Sequence, residues 1–126
     1  VHPDPTPGLK HAVDLSGSKK HEDALRALVQ QRVAERFGKD VSSVETKVWW
    51  VEGELRYKGG KYGGLTYGCG EIYVRDTGDL CYSSYIHELL HCYHSEVEGW
   101  RDFKHVDKKW WSLVKPLKAE CIRRGW

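Results

Sequence analysis

The chain has no methionine, no C-x-x-C pair, no block of like charges and no long apolar stretch. No apolar run approaches the ~18–20 residues that cross a bilayer, so no membrane span is expected. Val1-His2-Pro3-Asp4-Pro5 lacks the basic, apolar and small-residue order of a signal peptide, although a leader ahead of Val1 is not excluded. The net charge is only +2 with both signs mixed, too mild for a nucleic-acid footprint, so DNA association is expected to be weak at most. The missing C-x-x-C pairs argue against a separate zinc knuckle. Proline is scarce too, and three of its four copies fall within residues 1–17. That stretch reads as an extended arm.

What remains suits one domain. A length of 126 residues gives a real core but not two, so residues 18–126 are read as a single domain, expected to be a monomer. The four cysteines, Cys69, Cys81, Cys92 and Cys121, permit two disulfides in three pairings. A domain of this size does not need such staples. Free, buried thiols are therefore expected, with an intracellular location favoured and secretion open.

Leu25, Leu28, Val29, Val33 and Phe37 recur at helical spacing, so a scaffold helix is expected from Ser18 to Gly38, with His21 near its start as a surface residue. From Thr46 to Arg75 the pattern changes to short strands. They are Val48–Val51, Glu54–Tyr57, Gly63–Tyr67 and Glu71–Arg75, with Lys58–Lys61 as a turn. Tyr57, Tyr62, Tyr67 and Tyr73 are candidates for a binding wall or, more simply, for sheet packing. A second helix is expected from about Tyr82 to Gly99, capped by Ser83 or Ser84, and a third over Val106–Arg124, kinked or restarted at Pro116. The fold class is α+β: a small, twisted, mainly antiparallel sheet packed on these helices.

The second helix carries the chemistry. His87-Glu88-Leu89-Leu90-His91 is H-E-x-x-H, which on a helix sets two imidazoles one turn apart on the same face, with a carboxylate beside them. Two such imidazoles can grip one divalent metal, and the carboxylate can take a proton from a metal-bound water. Packing alone would be the plainer role for the pair. Catalytic zinc normally has three protein ligands. His94 and Glu98 stay within about 60° of His87 and His91 at ~100° per residue, a ladder rather than a converging set. His94 is thus a poor third ligand, though it remains a candidate substrate contact. The third ligand must come from a segment that folds back. Asp102, His105, Glu120 and, less favourably, Glu96 are the candidates.

His87–His91 together with His105-Val106-Asp107-Lys108-Lys109-Trp110-Trp111-Ser112-Leu113-Val114 resembles the SprT-like zinc metallopeptidases. In that family H-E-x-x-H is followed, after a variable loop, by a histidine that opens a helix with an aromatic a few residues on. Gly64–Tyr67 and Glu71–Val74 are similar to the hairpin that precedes the motif helix there. The resemblance spans roughly residues 18–116. Lys104 stands where the family often has Gly or Asn, and no zinc ribbon follows. The metzincin pattern does not fit, since it wants Gly at 94 and His at 97, where this chain has His94 and Val97. The resemblance implies a compact zincin-like domain and a zinc endopeptidase acting on proteins or peptides. It implies His87, His91 and His105 as zinc ligands and Glu88 as general base. Tyr67, Tyr85 and His94 are candidate donors to substrate or transition state. A toxin-like secreted zincin with Asp102 or Glu120 as ligand, and a non-enzymatic metal-binding module, are the alternatives.

Overall fold

The computed structural model describes residues 14–57 and 59–126. Most of the expected N-terminal arm lies outside these residues. Its end, Asp14–Ser16, forms β1, which pairs antiparallel with β2 (Val48–Glu52).

Helix α1 runs Glu22–Phe37 and buries the expected stripe, with Leu25, Leu28, Val29 and Val33 at most 3% exposed. It begins four residues later than Ser18 would set it. The Glu22 carboxylate folds back to accept from the Lys19 amide at 3.0 Å and from the Trp50 indole at 2.7 Å. His21 sits at φ 67° at this turn, so the chain enters the helix after it. Gly38, at φ 67°, closes the helix as expected.

The main sheet has the order β1-β2-β6-β5, with β5 at Gly64–Thr66 and β6 at Ile72–Arg75. β2 and β6 run parallel, and the other two pairings are antiparallel. Within the stretch read as a turn over Lys58–Lys61, Gly59 does lie in a turn, and the strand begins at Gly60. β4 (Gly60–Tyr62) pairs with β3 (Leu55–Tyr57) as a separate ribbon. Gly59 at φ 80° tightens the reversal and leaves the following residues extended. Side chains alternate across the main sheet. Trp50, Ile72 and Val74 face the helices, while Val51, Leu65 and Tyr73 form a smaller cluster with Trp49, Tyr57 and Tyr67.

After a 3-10 turn at Leu80–Tyr82 comes α2, Tyr85–Glu98, ended by Gly99 at φ 82°. Asp79 accepts from the Cys81 amide and stabilises the short turn, which displaces the helix start beyond Tyr82. The C-terminal helical region divides into α3 (Lys108–Trp111) and α4 (Val114–Arg123). The break falls just before Pro116, which lies in the first turn of α4, where a missing N–H forfeits no helical bond. Trp110 is fully buried and stacks on Phe37 at 4.2 Å, clamping α3 to α1.

The expectation of free thiols is overturned. Cys69 pairs with Cys92, and Cys81 with Cys121, at Cα separations of 4.8 and 5.7 Å. One bridge ties the β5–β6 connection to α2, and the other ties the 3-10 turn to α4. With sequence separations of 23 and 40, chain-entropy reasoning assigns roughly 3 to 4 kcal/mol to each.

Candidate metal centre

α2 carries His87 and His91 on one face, and local spacing alone puts them there. The third histidine arrives by a less regular route. After Gly99 the chain crosses back over the helix in a loop organised by Asp102, which is only 2% exposed. Its Oδ1 accepts from the Val106 amide at 2.9 Å, and its Oδ2 accepts from the Asp107 amide and the Trp111 indole, each at 2.7 Å. Burial alone would raise the Asp102 pKa. The hydrogen bonds from Trp111, Asp107 and Val106 outweigh it and hold the carboxyl at about 2. Inside this turn His105 takes φ 57°, a left-handed conformation uncommon for a non-glycine residue and tolerated where neighbours fix it.

The result is convergence. The Nε2 atoms of His87, His91 and His105 lie 3.0–3.1 Å from one another, a nearly equilateral triangle. Three neutral imidazoles cannot all satisfy one another in that arrangement, because each Nε2 is either one donor or one acceptor. Three ring nitrogens this close together suit a shared cation. These residues form a group able to hold a metal ion. The Trp111 ring packs against all three, with centroids 5.1, 4.5 and 4.9 Å from His87, His91 and His105. Burial, then the neighbouring His105, lowers the His87 pKa to about 4. Burial, then His87 and His105, lowers that of His91 to about 3. Both rings are therefore neutral at pH 7, the form that ligates metal.

Glu88 is 5% exposed and faces the same cleft. Burial raises its pKa to about 7, partly opposed by a 2.6 Å hydrogen bond donated by the Thr66 hydroxyl to Oε1. β5 packs so closely here that a Cβ on Gly64 would lie 2.5 Å from Glu88 Cγ and 2.7 Å from Cδ. The cleft itself, about 230 Å³, runs between β5 and α2, with Arg101, Phe103 and His105 as a third wall.

The other expected residues sit elsewhere. Tyr85 is fully buried and donates to the Glu22 carbonyl on the far side of α2, so it does not reach the cleft. Tyr67 packs edge-on against Tyr57 and Tyr73 in the smaller core. The sheet face that Leu65 buries there draws these rings away, and of the four tyrosines weighed for a binding wall it is Tyr62 that lines the cleft. His94 is also fully buried. Its Nε2 lies 3.0 Å from Asp107 Oδ2, and its ring stands edge-on to Trp100 and Trp110, so it holds the returning loop rather than contacting the cleft. Asp102 serves the loop, and Glu96 is exposed outside the cluster. Glu120 is held on α4 by Arg123 and Arg124, whose hydrogen bonds lower its pKa to about 2.

The sequence marks the strand Gly64–Tyr67 as an edge open to an extended peptide, with glycines that permit close approach, but it singles out neither Thr66 nor Arg101. The glycine-rich strand was the one available signal, since glycine marks close backbone approach. Set against known proteins, the chain matches no family model, no curated protein and no solved structure.

Proposed function

We propose that this chain is a zinc-dependent endopeptidase. The observation that carries the reading is the convergence of His87, His91 and His105 on one point, with a buried carboxylate, Glu88, in the same cleft. Tetrahedral zinc at 2.0–2.1 Å sets its nitrogen ligands ~3.3 Å apart. The observed 3.0–3.1 Å is close to that, and three protein ligands leave a fourth position open, as catalytic sites do. When bound, zinc supplies an acidified water and a Lewis acid for a carbonyl oxygen.

The chain's own groups supply the rest. A carboxyl with pKa about 7 is half ionised at neutral pH, so Glu88 can accept a proton from water and return it to a leaving amine. Thr66 donates to Oε1 and fixes the rotamer, leaving Oε2 to act as the base. Tyr62, which lines the cleft, is the candidate tyrosine donor to developing negative charge.

β5 is an edge strand among the described residues. Its ladder with β6 bonds Tyr67 N to Glu71 O and Arg75 N to Gly63 O. Antiparallel pairs alternate, so Leu65 also faces β6, and the backbone groups of Gly64 and Thr66 turn outward. An extended peptide added there would cross the histidines with its main chain held by hydrogen bonds.

The SprT-like resemblance agrees with a three-histidine ligand set. The two disulfides instead favour an oxidising compartment over a reducing one. The test is elemental analysis of purified protein, followed by cleavage of unstructured protein substrates by the parent and by Glu88→Ala. One zinc per chain and cleavage abolished in the variant are expected. Zinc-free protein, or unchanged cleavage by Glu88→Ala, would end the proposal.

A further inference from the structure

Resting on that reading, we propose that Arg101 is a specificity residue that binds a carboxylate of the substrate beside the metal centre. Arg101 lies in the cleft wall with His91 and Phe103. It is half-buried, and its Nη1 is fully enclosed with no hydrogen-bond partner among the described residues. No carboxylate pairs with it there either; Arg36 and Arg75 share that lack on the exposed surface, whereas Arg26, Arg32, Arg56, Arg123 and Arg124 each have one. An enclosed guanidinium nitrogen without an acceptor is costly, and no neighbouring carboxylate offsets the charge.

The surroundings fit an anion that arrives with the ligand. Across from the guanidinium is Gly68, at φ 102°, whose absent side chain leaves open space. A Cβ there would come to 3.9 Å from Nη2, in ordinary contact. Glu88 is the single acidic residue lining the cleft among the described residues, and it is turned to Thr66. Asp102, next in sequence, has its oxygens occupied by the loop amides and Trp111. Nothing in the cleft therefore neutralises Arg101, and the part of its guanidinium that lines the cleft can donate to a carboxylate. Two sources supply that group: an Asp or Glu side chain near the scissile bond, or the free C-terminus of a short peptide.

The experiment uses the full chain carrying Glu88→Gln, loaded with zinc, so that binding is read without turnover. Fluorescence anisotropy compares matched peptides containing Glu or Gln at each position, and peptides ending in a free carboxylate or an amide. Charged peptides are expected to bind about 10- to 100-fold more tightly than neutral ones. Preference for Glu over Gln identifies a side-chain subsite, and preference for acid over amide identifies a chain-end subsite. Either must disappear when Arg101→Gln is added and shift towards Lys-containing peptides with Arg101→Glu. Equal affinity for charged and neutral peptides overturns the proposal, and this comparison needs no Arg101 variant to fold. A preference that survives Arg101→Gln also overturns it, as does failure of every peptide to bind. The same peptides incubated with the parent report hydrolysis separately. Charge-selective binding without cleavage would retain the subsite and remove the peptidase.

Discussion

Asp102→Asn tests whether the loop, and not the helix alone, makes the metal centre. Three donors converge on one carboxylate: the Val106 amide on Oδ1, and the Asp107 amide and Trp111 indole on Oδ2. An amide can turn its oxygen to only one side. Facing Asp107 and Trp111, it keeps two bonds and sets its NH2 against the Val106 N–H. The two retained bonds also lose their charge assistance. With bonds to charged groups at about 1.5–3 kcal/mol and neutral ones near 1, the loop should lose roughly 3 kcal/mol or more. Both His105 and the Trp111 ring hang on this turn, so the third histidine of the cluster loses its fixed position. Zinc affinity, measured by competition with a chromophoric chelator at pH 7, should fall about 10- to 100-fold, the usual effect of removing groups that orient ligands. His105→Ala, which deletes a ligand outright, should fall further. The reasoning is refuted if Asp102→Asn binds zinc as tightly as the parent. It also fails if Asp102→Asn and His105→Ala lose affinity equally, since Asp102 would then behave as a ligand. There is a pH signature as well. The Asp102 pKa is depressed from ~3.9 to about 2, so its stabilisation is present above the unfolded value and is lost as pH falls through the folded one. The stability gap between parent and variant should hold at pH 5 and shrink between about pH 4 and pH 2, which acid titration of the zinc-free proteins by circular dichroism would show.

Gly64→Ala should leave zinc binding intact and lower kcat by about 100-fold or more, because the new methyl drives Glu88 from its place against β5; equal turnover would mean that the carboxylate is not held there. Glu88→Gln should stabilise the zinc-free protein at alkaline pH. Its folded pKa of about 7 exceeds the ~4.3 of an unfolded glutamate, so the parent loses roughly 3 kcal/mol as pH rises across that interval and the variant does not. Paired thermal melts at pH 5 and pH 8 check this, and parallel pH profiles would contradict it. Alkylation in denaturant should label no cysteine before reduction and four after it, with mass spectrometry as readout. Cys81→Ser with Cys121→Ser should cost roughly 4 kcal/mol in urea unfolding, since that bridge closes the longer loop.

The features legible in the sequence are those whose partners are close in the chain. The stripe Leu25, Leu28, Val29 and Val33 needs only helical periodicity, and each of these residues is in the core. His87, Glu88 and His91 are fixed by the same periodicity, and Gly38 and Gly99 end their helices in the left-handed conformation that glycine favours. Prediction weakened wherever a residue's role depends on something distant. Asp102 reads as a ligand by composition, but its oxygens meet amides presented by a turn that is not visible in the spacing. Tyr85 adjoins the motif, yet a helix sends neighbouring residues to different faces, and its hydroxyl ends at Glu22. The cysteines were misjudged because domain size says whether a staple is required, not whether two thiols meet across the core. Thr66 and Gly64 matter only because β5 lies against α2, a contact between segments 22 residues apart.

Cys92 follows His91 directly, and its partner Cys69 follows Gly68 on the opposite wall. The helix that holds two of the three imidazoles is therefore covalently joined to the connection that leads from β5. Two jaws of this cleft are bolted at a set gauge. The third wall, the loop from Trp100 to His105, carries no disulfide and is held against the others by hydrogen bonds and aromatic packing. Opening Cys69–Cys92 with a reducing agent would remove the one covalent tie between these two walls.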